Sequence, residues 1–174
     1  LKKIIAYTRR FASYRGKKGE VLYNISLNEY EEGFTTDILD DFFSKVRDAL
    51  VPLIKKVTEK KDTINKDYNS LYYPPEIQSG FCHFLAGYLG FDFNKGVIAE
   101  SEHPFTTSLH NHDVRITSHY YEDNLESAMF SMIHETGHAL YEMGVDDALS
   151  GTPAGSALSM GMHESQSRFY ENMI

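Results

Sequence analysis

The sequence predicts a mainly α-helical fold with one small antiparallel β-sheet. Three observations carry this. Apolar residues recur at helical spacing through most of residues 1–90; residues 91–122 break into short β-compatible runs between Gly, Pro, Asn and Asp; helical spacing resumes near Asp123. With 174 residues, 41% of them hydrophobic, the chain has enough apolar material for a core. No internal repeat is visible, so a solenoid is excluded.

In order along the chain, Leu1 to Ala12 places Ile4, Ile5, Thr8, Phe11 and Ala12 at helical spacing, with Gly16 and Gly19 as breaks. A second helix is expected over Glu20 to Glu31, ending at Gly33. Thr35, Thr36 and Asp37 supply N-cap candidates for a long helix striped by Ile38, Leu39, Phe42, Phe43, Val46, Leu50, Leu53, Ile54 and Val57. Pro52 should kink this helix without ending it, because the stripe continues past it. The charged stretch Lys55 to Asp67 reads as a solvated helix end and loop. Pro74-Pro75-Glu76 opens a helix running to Leu89-Gly90. The runs Val97-Ile98, Phe105-Thr106-Thr107 and Val114 to Thr117 are the expected strands. A helix from Asp123 to Met143, a loop with Ser150, Gly151 and Pro153, and a last helix from Ser159 to Ile174 complete the reading. The chain begins with Leu and ends within a predicted helix, so residues 1–174 are expected to be one piece of a larger domain. Its parts would be helices at 1–90, a β region at 91–122 and paired helices at 123–174.

A net charge of −8 offers no excess positive charge for phosphate contacts, which argues against nucleic-acid binding. No apolar run approaches the ~20 residues of a membrane span, and the opening residues turn polar too soon for a signal peptide. A cytoplasmic protein is the default expectation. The single cysteine, Cys82, lies among Phe81, His83, Phe84 and Leu85, and reads as a buried, inert thiol.

The chemistry-bearing run is His134-Glu135-Thr136-Gly137-His138. Residues four apart share a helix face, so His134 and His138 can bind one ion, and Glu135 can reach a water beside it. Ala128, Met129, Met132, Ile133, Ala139, Leu140 and Met143 would form the core side. Gly137 is small enough to leave room for substrate or a neighbouring strand. A catalytic zinc site needs a third protein ligand. An antiparallel return of the last helix would bring Glu164 to the histidines; His163 is the rival, pointing about 100° away. Arg168, one turn beyond Glu164, suits a supporting role. Asp113 and Arg115, two apart on one strand face, form either an internal ion pair or a substrate contact. His110, His112 and His119 read as structural or exposed, and Tyr141 as core.

Four ordered motifs resemble the Taq-type thermostable metallocarboxypeptidases: His103-Pro104-Phe105, Asp113 to Thr117, His134 to Glu142, and His163 to Arg168. The Tyr30-Glu31-x-Gly33-x-Thr35 stretch adds to the likeness, which is weakest between Lys55 and Asn69. The resemblance implies a helical cleft fold of gluzincin-peptidase type and a Zn²⁺ (or Co²⁺) ion on His134, His138 and Glu164. It implies Glu135 as general base and acid, with His103, Phe105, Asp113, Arg115 and Thr117 along the substrate groove. The implied reaction is release of residues from peptide C-termini by a cytoplasmic homodimer. Family members are much longer, and their downstream substrate-binding motifs cannot lie within this chain. The competing readings are a gluzincin endopeptidase, a metal-binding but inactive piece, and a purely structural helical module.

Overall fold

The computed structural model describes residues 1–174. The chain divides into two compact units, Leu1–Ile64 and Asn65–Ile174. The division falls inside the charged stretch, where polar side chains leave little to bury.

The first unit is helical. Its elements are α1 (Lys2–Arg15), α2 (Leu22–Leu27) and α3 (Thr36–Thr58). α1 packs on α2, burying Ala12. α2 is shorter than its apolar spacing predicts. After Leu27 the chain turns, and Asn28 Oδ1 accepts the Gly33 N–H (2.8 Å) with Gly33 at φ +82, a conformation glycine adopts without steric cost. Thr35 caps α3, its hydroxyl accepting from the Ile38 N–H (3.3 Å), while Asn24 Oδ1 accepts from Thr36 N–H (2.9 Å). Pro52 lies inside α3, as the unbroken stripe predicts. The stripe is not core, however. Ile38, Phe42, Phe43, Leu50, Leu53, Ile54 and Val57 are all exposed.

The second unit surrounds one central helix. Its elements are α4 (Pro75–Leu89), β1 (Gly96–Glu100), β2 (Thr106–His110), β3 (Asp113–Ser118), α5 (Leu125–Met143) and α6 (Met160–Met173). The sheet is mixed, which corrects the antiparallel expectation. The strand order is β1-β3-β2; β2 pairs antiparallel with β3, but β1 pairs parallel with it, Ile98 opposite Ile116. After β1 the chain runs to the outer edge as β2 and doubles back as β3 between the two, so β1 and β3 point the same way. α4, α6 and strands β2 and β3 all pack on α5. Cys82, Ala86, Phe91, Val114, Ile116, Ala128, Met132 and Ala139 form the core between them. The Cys82 thiol is fully buried and burial pushes it up to about 11, as an inert thiol requires.

Local signals set the ends of α5. Asn124 Oδ1 accepts from the Ser127 N–H (3.2 Å), and Asn69 bonds both Asn124 and the Glu126 N–H. Glu126 in the first turn meets Lys66 (3.0 Å) and Tyr68, pinning the short 3₁₀ turn Asp67–Ser70 to the helix start. Ser159 caps α6 through the Met162 N–H (3.1 Å).

Gly137 explains how closely α5 and α6 approach. A Cβ added there would lie 2.7 Å from Ser167 Cα and 3.1 Å from Gln166 O. The space it leaves is therefore filled by the α6 backbone, which corrects the reading that it serves substrate or a strand. Alanine in a helix interior is worth about 1 kcal/mol over glycine, but backbone atoms cannot rotate away from the new methyl. Gly137→Ala should therefore lower the unfolding free energy by about 1–3 kcal/mol. Equilibrium denaturation showing an unchanged or raised midpoint would contradict this packing.

Candidate metal centre

On α5 the period of 3.6 residues lines up His134, His138 and Glu142 along one edge. α6 faces them with Glu164, Arg168 and Glu171, also one turn apart. Ser167, fully buried, faces Gly137 at the contact itself. The metal-type donors therefore come from two helices that the Gly137 contact holds together.

The histidine orientations follow from their partners. His134 Nδ1 lies 2.8 Å from Glu171 Oε2. A carboxylate only accepts, so the proton sits on Nδ1 and Nε2 is left with a lone pair. That Nε2 is 3.6 Å from Glu164 Oε2, and His138 Nε2 is 3.3 Å from the same oxygen. One donor atom from each of the three residues lies within 4.8 Å of the others. Two ligand atoms on a tetrahedral ion, each at about 2.0–2.1 Å, sit about 3.4 Å apart. The two imidazole nitrogens and the carboxylate oxygen are thus a donor set that could hold a metal ion.

Charges around the cluster are matched. Arg168 Nε donates to Glu164 Oε1 (2.9 Å), and Arg168 Nη1 donates to both oxygens of Glu171 (3.1 and 2.9 Å). Partial burial pushes the Glu164 carboxyl up, but Arg168 and the neighbouring imidazoles outweigh it and hold it below its ordinary value. Burial, reinforced by the neighbouring His163 and His134, lowers the pKa of His138, favouring the neutral ring that a ligand must be. His163 is turned elsewhere: its Nε2 meets Glu142 Oε1 (2.7 Å) and its Nδ1 meets His138 Nδ1 (2.6 Å). A 2.6 Å nitrogen pair is a hydrogen bond and too short for two ligands of one ion.

Glu135, about 100° round α5 from His134, reaches the sheet. Its Oε2 accepts from the Thr106 hydroxyl (2.6 Å) on β2. Burial raises its pKa, while Thr106 and the imidazoles of His134 and His103 draw it back down. A carboxylate shifted in that direction is better suited to taking and returning a proton at neutral pH than an exposed one. A cavity of about 320 Å³ opens beside it, lined by His103, Pro104, His134, Glu135, Arg168 and Glu171.

The groove residues implied by the resemblance divide. His103 shares that cavity with His134 and Glu135. Phe105 is half exposed, and its N–H is held by Thr117. Asp113 and Arg115 form a bidentate pair (2.8 and 2.9 Å), the internal-pair alternative. Val114 and Ile116 point into the core, so strand alternation puts Arg115 on the other sheet face from α5. The Thr117 hydroxyl is occupied, binding Ser101 Oγ (2.6 Å) and the Phe105 N–H (3.0 Å). Of the remaining histidines, His112 pairs with Asp147 (2.8 Å), His110 accepts from the His112 N–H, and His119 meets a backbone carbonyl. Tyr141 is partly buried against His163.

Three contributors escaped the sequence reading. Glu142 and Glu171 carried a signal, lying four residues past His138 and seven past Glu164 on the same helix faces. Thr106 carried none, since only the sheet's placement brings it to Glu135.

A His-Glu-x-x-His helix crossed by a second helix that offers a carboxylate defines a metallopeptidase-class site. The chain belongs to the carboxypeptidase Taq (M32) metallopeptidase family, whose model matches residues 1–174. It is 40% identical over 174 residues to carboxypeptidase 1 of Bacillus subtilis, covering all of this chain and 34% of that protein. It is 37% identical over 153 residues to thermostable carboxypeptidase 1 of Thermus thermophilus, covering 88% of this chain and 30% of that one. Among solved structures it resembles the M32 carboxypeptidase of Deinococcus radiodurans R1, with a TM-score of 0.92 and 38% identity. That likeness covers 99% of this chain and 34% of the other. The chain thus spans about a third of the length of the curated relatives it matches.

Thr117 yields a prediction about the sheet end that carries His103 and Phe105. Thr117→Val keeps the volume and removes the acceptor for the Phe105 N–H. It should lower stability by about 1–3 kcal/mol, measured by denaturant titration; no loss would mean that the hydroxyl does not hold that loop.

Proposed function

We propose that this chain carries the metal centre of a metallocarboxypeptidase that releases residues from the C-termini of peptides. The observation that supports it best is the convergence of His134 Nε2, His138 Nε2 and Glu164 Oε2 beside the buried Glu135. The relatives, carboxypeptidases by name, supply the exopeptidase part of the reading. In this reading His134, His138 and Glu164 hold a zinc ion, with cobalt an alternative of the same ligand chemistry. Such an ion, when bound, supplies Lewis acidity that polarises a peptide carbonyl and acidifies a water.

The chain's own residues do the remainder. Glu135, steadied by the Thr106 hydroxyl, takes the proton of the attacking water and returns it to the leaving amine. Glu171 and Arg168 fix the ring of His134 and the carboxylate of Glu164. His103, which lines the same cavity as Glu135, contacts the peptide in this reading. Asp113 and Arg115 serve the groove indirectly, by bracing the strand next to β2. No helix is long and apolar enough to cross a membrane; a cytoplasmic location and a homodimer belong to the same family-based reading.

The full-length protein tests it. A peptide with a free C-terminus should be hydrolysed and its C-terminally amidated twin should not; equal hydrolysis would instead mean an endopeptidase. Glu135→Gln should retain metal and lose about 10²–10⁴-fold in kcat, and wild-type turnover in this variant would refute the base assignment. Glu164→Ala should show a sharply reduced metal content by elemental analysis, and full occupancy would exclude Glu164 as a ligand. The 174-residue chain alone, if it binds metal without turnover, would be the metal-binding part of an active site completed elsewhere in the protein.

A further inference from the structure

The two histidines of the candidate centre are oriented by different devices. His134 donates directly to a carboxylate, Glu171. His138 has no carboxylate on its Nδ1 side; another imidazole, His163, stands there, and Glu142 stands behind it. We infer that Glu142 and His163 form a positioning relay that places the proton of His138 on Nδ1 and so leaves Nε2 free as the donor atom. This inference rests on the metal-centre reading above and extends it to two residues to which that reading gives no part.

The argument is one of donors and acceptors. An ionised Glu142 accepts only, so at 2.7 Å the proton lies on His163 Nε2. A neutral imidazole with a proton on Nε2 carries a lone pair on Nδ1. That lone pair faces His138 Nδ1 at 2.6 Å, so the proton between them belongs to His138. With ring centres 4.7 Å apart and the two Nδ1 atoms at 2.6 Å, both nitrogens lie close to the line between the rings, so a lone pair can point at the neighbouring N–H. His138 Nε2 is then bare and sits 3.3 Å from Glu164 Oε2. The rival assignment puts the proton on His138 Nε2, where it would block a metal, and needs His163 to be an imidazolium carrying both protons. Tyr141 lies against His163 with ring centres 4.7 Å apart and limits its freedom to turn. Glu142 is four residues beyond His138 on α5, and His163 immediately precedes Glu164 on α6. Each helix therefore supplies both a donor and part of the device that orients one.

The experiment uses the full-length protein. In the metal-free wild type, ¹⁵N-resolved imidazole NMR should show His138 protonated on Nδ1 and unprotonated on Nε2. His163→Phe keeps a ring against Tyr141 but cannot accept; its zinc dissociation constant, measured by competition with a chromophoric chelator, should rise about 10–100-fold. Glu142→Leu should do the same, and Glu142→Gln, which still accepts from Nε2–H, should restore most of the affinity. A packing role alone would not distinguish Gln from Leu in this order. A His138 proton on Nε2 in the wild type, or unchanged zinc affinity in both His163→Phe and Glu142→Leu, would overturn the relay. A wild type that binds no zinc would instead sink the metal-centre reading itself. If His163→Phe does not fold, the Glu142 pair and the wild-type tautomer still decide.

Discussion

The close contact of α5 with α6 at Gly137 and Ser167 is the constraint on which the rest of the site depends. The contacts of His134 with Glu171, of His138 with His163, and of both histidines with Glu164 all span these two helices. Hydrogen bonds of 2.6–2.8 Å leave no slack for a helix displaced by the width of a methyl group. The core sets one face of α5 through Ala128, Met132 and Ala139, and the polar edge follows from the helical period. Packing and chemistry are thus two faces of one helix, separated by rotation about its axis.

Charge follows the same economy. Three carboxylates gather near the histidines, and Arg168 is the cation that binds two of them, Glu164 and Glu171, at once. Its planar fork suits that bridging, where a lysine would offer one point of charge. Glu135 has a neutral hydroxyl, that of Thr106 on the sheet, as its hydrogen-bond partner. The two carboxylates are displaced in opposite directions: burial pushes Glu135 above its ordinary value, whereas Arg168 and the imidazoles hold Glu164 below its own. A proton-transfer group needs the first and a ligand the second.

Local patterns were readable from the residues. Spacing of four in His134 to His138, the Thr35 cap and Gly90 at the end of α4 all follow from rules that involve one turn of chain. Pairings between distant segments were not. The β1 and β3 runs look alike whether they pair parallel or antiparallel, because alternation encodes which face is buried and not strand direction. Gly137 was visibly small, but only the placement of Ser167 says what fills the space. Thr106 became part of the site through the position of β2 over α5. The stripe on α3 was found by its period, yet period cannot say what covers it.

The two-helix origin of the donors also has a thermodynamic side. An ion held by His134 and His138 from α5 and by Glu164 from α6 would act as a clasp across their contact, present in the folded chain and absent from the unfolded one. Folding of this unit would then be coupled to supply of the ion, gaining about 2.7 kcal/mol when free ion stands at a hundred times its dissociation constant. The balance between a loose and a closed helix pair would be set by the surroundings as much as by the sequence.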